Sequence, residues 1–170
     1  MDFPKVELHV HLAGASRYET LIELALKKGI DVKGATNAKE LASILQTTKP
    51  ATLSKVLEAF HIFIPCVIGD AEALERVAYE LCEDQAKNGV IYFEARYSPY
   101  LKTFDEDVEH AKMWKKHGFL AEHQKITPAE VVEAVTRGLT RGEADFGVKA
   151  RSILSCICGH PDWNHGTVQL

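Results

Sequence analysis

Two histidines stand two residues apart near the start of the chain, in the segment His9-Val10-His11. In a β-strand, residues i and i+2 point to the same face, with their backbones about 6.6 Å apart. Two imidazoles on such a strand can converge on one metal ion, and imidazole nitrogen is a good zinc ligand. The spacing therefore predicts a metal site at the end of a strand. The alternative is that both histidines are bonded to carboxylates in the core.

Glu94, Arg96, Lys149 and Arg151 form a second group that could do chemistry, because they would share one interior if their strands are neighbours. A catalytic carboxylate and a phosphate-binding arginine are one interpretation. A buried charge must be paired, so we favour a structural ion network. The sequence has no GxSxG, P-loop or GxGxxG motif, and glycine-rich phosphate binding is not supported.

The four cysteines are the remaining candidate ligands, namely Cys66, Cys82, Cys156 and Cys158. No CxxC spacing occurs, so we expect reduced, mostly packed thiols, as in a cytoplasmic protein. The segment Cys156-Ile-Cys158, followed by His160, could form part of a metal site. Zinc sites built on cysteine usually repeat a CxxC hook, and none is present here.

Three segments of alternating polarity predict the strands that must position these residues: 6–12, 90–97 and 148–157. In the first, the histidines share one face, and the opposite face carries Val6, Leu8, Val10 and Leu12.

Start and stop signals predict helices between these strands. Capping boxes or N-caps occur at Ser16, Asn37, Asp70 and Thr127, the last with a proline at the first helical position. The segment 52–64 has apolar residues at helical spacing and is expected to end at Pro65. The polar segment 103–124 is expected to be a solvated insertion, with metal binding through its histidines as the alternative. Strands linked by helices pair in parallel, which predicts the α/β class.

Composition narrows the class of partner. The 170 residues carry 20 Lys+Arg and 24 Asp+Glu, a net charge of −4, and 46% are hydrophobic. No apolar stretch approaches the roughly 20 residues that a membrane-spanning helix needs, and no basic cluster suits a nucleic-acid backbone. The opening segment MDFPKVELHV lacks the apolar core of a secretory signal. We therefore expect a cytoplasmic protein whose partner is a small molecule.

Three parallel strands with open edges would not complete a natural fold, so the chain is expected to stop within a larger one. The run from Pro4 to Gly14, PKVELHVHLAG, resembles the opening strand of the adenosine deaminases. The similarity continues in 94–99 (EARYSP) and 145–154 (DFGVKARSIL).

This resemblance implies the amino-terminal portion of a (β/α)8 TIM-type barrel, with about three of its eight βα units present. Residues 1–170 would then be an incomplete metal-dependent deaminase barrel domain. The family binds one Zn²⁺ at the carboxyl ends of the strands and hydrolyses adenosine and 2′-deoxyadenosine to inosine products and ammonia. The HxE and PCxxC signature of the cytidine-deaminase type is absent.

By the same resemblance, His9 and His11 match the first two zinc ligands, and His11 also lies beside the bound purine nucleoside. Gly14 matches the tight turn after the strand and contributes to substrate binding. The helix that covers the purine pocket would carry Leu53, Val56, Leu57 and Phe60. A purely structural apolar stripe is the more cautious interpretation of those four residues.

Two departures from the family pattern affect the expected activity. Ala13 stands where the family has an aspartate that binds the sugar hydroxyl, a loss worth about 1.5 to 3 kcal/mol, or roughly 10- to 150-fold in binding. The family's other zinc ligands and its catalytic acid come after residue 170, so no catalytic residue is assigned within the chain.

We therefore predict an adenosine deaminase whose isolated 170-residue chain neither retains zinc nor deaminates adenosine. The alternative is a non-catalytic deaminase relative, kept as a binding or regulatory protein. A different metal-dependent barrel hydrolase that shares the HxH segment is less well supported by the later matches. The oligomeric state is not predicted.

Overall fold

The computed structural model describes residues 3–46, 49–52, 59–100, 126–158 and 164, except the side chains of residues 61 and 63. Its three strands form one parallel sheet in the order β1-β2-β3. The elements follow in the order β1 (Lys5–His11), a 3-10 turn (Ala13–Ala15), α1 (Tyr18–Lys28), α2 (Ala38–Leu45), α3 (Phe60–Val67), α4 (Ala71–Lys87), β2 (Val90–Tyr97), α5 (Pro128–Phe146) and β3 (Lys149–Leu154). The predicted α/β class is confirmed.

Three of the predicted helix starts are confirmed by side-chain caps. Asn37 and Asp70 each accept a hydrogen bond from the backbone N–H three residues ahead. Thr127 and Glu130 form a complete capping box, and Pro128 occupies the first turn of α5. These caps satisfy N–H groups that have no partner within the helix. They determine where α2, α4 and α5 begin.

The capping box predicted at Ser16 is wrong. The backbone of Arg17 is extended and occupies the N-cap position of α1, without a side-chain cap bond. The hydroxyl of Ser16 is buried and has no hydrogen-bond partner in the described part of the chain. Arg17 instead bonds Glu83 and Asp84 of α4, each at 2.6 Å. This ion pair therefore connects the start of α1 to α4.

The predicted helix end at Pro65 is also wrong, because Pro65 lies inside α3, which continues to Val67. Proline removes one backbone donor and crowds the preceding turn. Burial outweighs that cost here, since Cys66, Val67 and Ile68 are each at most 2% exposed. Residues 53–58, which include Leu53, Val56 and Leu57, lie outside the described residues, as does the predicted insertion 103–124.

The core lies between the sheet and helices α4 and α5. One face of β2 presents Phe93, Ala95 and Tyr97, which are all buried. Helices α4 and α5 approach each other closely at Gly138, where a Cβ atom would lie 2.2 Å from the carbonyl oxygen of Glu75. The opposite face of β2 carries Tyr92, Glu94 and Arg96.

The strict alternation predicted for the first strand is wrong. Val6 pairs with Tyr92 and His11 pairs with Arg96, and paired residues share a face. Tyr92 and Arg96 lie on one face of β2, whereas Val6 and His11 are an odd number of residues apart. One extra residue on β1 between Glu7 and Val10 resolves this mismatch. Such a bulge changes the face to which later side chains point.

The expectation of packed thiols is confirmed for two cysteines and wrong for two. Cys66 and Cys82 are buried, and burial raises their pKa values to about 11 and about 12. Cys156 and Cys158 are exposed, because they follow the end of β3, where no helix of the described residues covers the chain.

Among the described residues, no helix has the length and apolar character needed to span a membrane.

Candidate metal centre

His9 and His11 lie together at the carboxyl end of β1. Their ring centroids are 5.3 Å apart, with an angle of 42° between the ring planes. Both side chains are exposed, so a ligand can reach them. The carboxyl ends of parallel strands are where α/β folds place their ligand sites.

The donor chemistry and spacing of this pair fit one tetrahedral Zn²⁺. Zinc binds imidazole nitrogen at about 2.0 to 2.1 Å with tetrahedral angles, which places the two ring centroids about 5.2 Å apart. The observed separation of 5.3 Å is close to that value. Within the described ranges, no group of three or more metal-binding side chains is found. The pair would supply two donors to a zinc site, which needs at least three protein ligands.

Gly14 and Phe60 border the histidine pair. The ring of Phe60 stands edge-on to His11, with centroids 6.3 Å apart and an angle of 79°. A Cβ atom on Gly14 would lie 3.8 Å from the Cβ of His11 and 3.9 Å from the Phe60 ring. The backbone of Gly14 is not in the left-handed region, so glycine is not needed for the turn itself. Its missing side chain leaves space between the imidazole and the phenyl ring.

Ala13 opens the short turn after β1 and is 6% exposed. Its methyl group offers no hydrogen bond, and its position is the one at which the family resemblance predicts an aspartate. The turn is formed without that carboxylate. The short turn after His11 therefore does not require a polar side chain at position 13.

The predicted ion network around Glu94 is not found among the described residues. Lys149 and Arg151 do share the face of Glu94, as their pairing with β2 requires. However, Glu94 accepts its hydrogen bond from the Tyr92 hydroxyl at 3.0 Å. This bond raises the pKa of Tyr92. Arg151 bonds Glu143 of α5 at 3.0 Å.

Arg96 makes a contact that the sequence did not indicate. Its Nη2 atom donates a hydrogen bond to the carbonyl oxygen of Leu8 at 2.8 Å. In addition, the N–H of His9 donates to Oε1 of Glu7 at 2.9 Å. Both contacts lie at the bulge of β1. No periodicity predicts them, because they depend on a local change of strand register.

A parallel sheet covered by helices, with a histidine pair at the carboxyl end of its first strand, defines an α/β protein of the kind that binds ligands at the strand ends. The sequence model described as adenosine deaminase matches residues 4–170. The chain belongs to this family.

The relatives support the assignment over nearly the whole chain. Adenosine deaminase of Bos taurus is 44% identical over 167 residues, which are 98% of this chain and 44% of that protein. The chain thus spans less than half the length of the curated relatives that it matches.

Solved structures support the fold. An amidohydrolase from Burkholderia ambifaria with bound Zn has a TM-score of 0.62 and 26% identity, covering 90% of this chain and 35% of that one. An adenine deaminase from Arthrobacter aurescens has a TM-score of 0.64 at 21% identity, covering 89% and 39% of the two chains. The second likeness concerns the fold alone. Together they confirm the expected fold class, a partial (β/α) barrel.

Proposed function

We propose that residues 1–170 are part of a zinc-dependent adenosine deaminase domain that hydrolyses adenosine and 2′-deoxyadenosine to the inosine products and ammonia. The observation that carries this proposal is the histidine pair of β1, with centroids 5.3 Å apart, in a chain of the adenosine deaminase family. Because the chain covers 44% of its bovine relative, the activity is proposed for the whole protein.

In the proposed reaction, a C–O bond from water to the purine carbon forms and the C–N bond to the amino group breaks. The nitrogen leaves as ammonia. His9 and His11 would each hold the zinc through one ring nitrogen. When bound, zinc supplies Lewis acidity that lowers the pKa of a water towards about 7. The acid that protonates the ring nitrogen is expected beyond residue 170.

The apolar edge of the site suits a flat heterocycle. Phe60 faces His11 edge-on, and Gly14 leaves the space between them open. We propose that this space takes one side of the purine, which is bordered by His11 and by the Phe60 ring. Leu53, Val56 and Leu57, which the family resemblance assigns to a helix that covers the purine, lie outside the described residues.

The isolated chain is expected to bind zinc weakly. A structural or catalytic zinc site uses at least three protein ligands, and the described part of the chain brings two together. We propose that the remaining ligands follow later in the whole protein, and that the 170 residues by themselves are inactive.

A binding or regulatory relative without catalysis is the second candidate, and Ala13 favours it. The position after His11-Leu12 lacks the carboxylate that would bind a sugar hydroxyl. A protein that lost nucleoside binding could still keep the barrel fold.

The cytoplasm is the proposed location. All four cysteines are free thiols, which suits a reducing compartment.

The test compares the 170-residue chain with the whole protein encoded by its transcript. We expect about one zinc per whole protein, release of ammonia from adenosine, and loss of both in a His9→Ala variant. A Lys149→Ala variant, changed on the same sheet face, serves as the control. A zinc-loaded whole protein that releases no ammonia from any purine nucleoside would refute the proposed activity.

If the transcript ends after codon 170, equilibrium dialysis with adenosine decides between the candidates. Adenosine binding by the isolated chain would support the non-catalytic candidate.

A further inference from the structure

The first histidine of the pair, His9, lies within an irregular point of its strand, and the second, His11, follows it. Pairing between β1 and β2 is interrupted between Glu7 and Val10, where β1 has one more residue than β2. Without this bulge, His11 would lie on the opposite face from Val6, and the sheet face of the pair would change. The direction of both imidazoles therefore depends on the bulge being held in one conformation.

Two side chains bond the backbone at the bulge. Oε1 of Glu7 accepts the N–H of His9 at 2.9 Å. Nη2 of Arg96 donates to the carbonyl oxygen of Leu8 at 2.8 Å. A bulge leaves backbone groups outside the regular ladder, and these side chains provide partners for two of them.

Arg96 also bonds β1 on the other side of the histidine pair. Its backbone carbonyl accepts the N–H of Leu12 at 3.1 Å. One residue of β2 thus contacts β1 at the position before His9 and at the position after His11. Arg96 is itself the pairing partner of His11 in the sheet.

No acidic side chain among the described residues draws the Arg96 guanidinium away from the Leu8 carbonyl. Within the part of the chain that the structure describes, no ion pair of Arg96 is found, and its buried Nε atom has no hydrogen-bond partner. Glu7 accepts the N–H of His9, Glu94 accepts the Tyr92 hydroxyl, and Glu143 pairs with Arg151.

We infer that Arg96 is a positioning residue for the metal pair: its side chain on the Leu8 carbonyl fixes the bulge that aims His9 and His11 at one ion. This inference rests on the proposed zinc site. The positioning of metal ligands by neighbouring groups is typically worth 10- to 100-fold in metal affinity. We expect the loss of the guanidinium to weaken the affinity of the pair for Zn²⁺ by about tenfold.

The test titrates Zn²⁺ into the metal-free whole protein and follows the imidazole signals of His9 and His11 by NMR. In the unsubstituted protein, we expect both signals to change with one common midpoint, because both rings bind the same ion. In Arg96→Met, the midpoint rises about tenfold and the two histidines titrate separately. Arg96→Lys keeps one donor and restores part of the affinity. Arg151→Met removes an arginine from the same face and leaves the midpoint unchanged.

A purely structural role predicts a different pattern. Arg96→Met would then lower the thermal midpoint of unfolding equally with and without Zn²⁺, and the common NMR midpoint would stay. That result overturns the inference, as does an equal loss in Arg151→Met. It is also overturned if the unsubstituted whole protein binds Zn²⁺ no better than its His9→Ala variant. If Arg96→Met does not fold, the comparison of Arg96→Lys with Arg151→Lys decides in the same way.

The titration does not measure deamination, so it separates this inference from the proposed function. A protein with an Arg96-dependent metal pair that deaminates no purine would refute only the proposed reaction.

Discussion

The contact between α4 and α5 is so close at Gly138 that adding one methyl group there should destabilise the fold. A Cβ atom at Gly138 would lie 2.2 Å from the carbonyl oxygen of Glu75 and 2.8 Å from the Cβ of Ala78. Both are atoms whose positions are set by the backbone of α4. No rotamer change can relieve the overlap, so in Gly138→Ala the two helices must move apart.

Two opposing effects determine the size of the change. Alanine is more favourable than glycine within a helix by about 0.5 to 1 kcal/mol. Against this, the distance to the Glu75 oxygen must grow by more than 1 Å to reach ordinary van der Waals contact. Overpacking of a core costs about 1 to 3 kcal/mol, and a gap of 0.5 to 1 Å forfeits a quarter to a half of each dispersion contact. We expect a net destabilisation of about 1 to 3 kcal/mol.

Urea unfolding, followed by circular dichroism, measures the loss in the free energy of unfolding. Thiol labelling shows whether the loss of stability comes from the contact between α4 and α5. The buried Cys82 contacts the carbonyl of Leu139 on α5 at 3.7 Å and should label faster once the helices separate. Cys156 and Cys158 are exposed and provide the reference for unhindered labelling.

Glu133→Ala is the matched control, because it adds alanine at an exposed position of the same helix. Its stability should change by less than about 0.5 kcal/mol. The reasoning is refuted if Gly138→Ala unfolds at the same or a higher urea concentration with unchanged labelling of Cys82. Helix propensity would then outweigh the contact.

Three further changes test the caps and the site. Lys28 bonds Asp70 at 2.8 Å; burial alone would raise the pKa of Asp70, but this bond and a backbone N–H bring it below the ordinary 3.8. The stabilisation is therefore present above pH 3.8 and is lost as the pH falls through the folded-state pKa of Asp70. Asp70→Asn should be less stable than the unsubstituted protein at neutral pH, and the difference between their urea midpoints should disappear in acid. Thr127→Ala removes the cap that Glu130 shares and should cost about 1 kcal/mol of unfolding free energy, whereas Thr127→Ser should not. Ala13→Asp in the whole zinc-loaded protein should lower the KM for adenosine about 10- to 150-fold. Ala13→Asn is the uncharged control, and equal KM values for the two variants would contradict a charged bond to the sugar.

Local signals predicted the helices well where the cap is built from neighbouring residues. Asn37, Asp70 and Thr127 each bond a backbone N–H only three residues away, so the whole interaction is visible in a short stretch of sequence. Ser16 has the same residue type, yet it is not the cap. Arg17 bonds α4 across more than sixty residues, and that distant ion pair fixes where α1 begins.

The histidine pair could be predicted from the sequence, but the contacts that hold its strand in position could not. The spacing of His9 and His11 predicted that the two rings lie together, and their centroids are 5.3 Å apart. The bulge, which contains His9 and precedes His11, depends on the pairing of β1 with β2. A register shift between two strands cannot be recognised in the residue pattern of either strand alone. The contact from Arg96 to the Leu8 carbonyl is therefore seen only once the two strands are paired.

The two halves of the candidate site depend on different parts of β1 and its turn. The metal half needs the face and register of His9 and His11, which the contacts of β2 maintain through hydrogen bonds on both sides of the pair. The proposed sugar half depends on the side chain at position 13, where the turn forms with alanine instead of the aspartate that the family resemblance predicts. Because the turn forms without that group, metal binding and nucleoside affinity should change independently. A substitution at Ala13 should therefore alter the preference for the sugar while the zinc midpoint of the histidine pair stays the same, and a substitution at Arg96 should do the reverse.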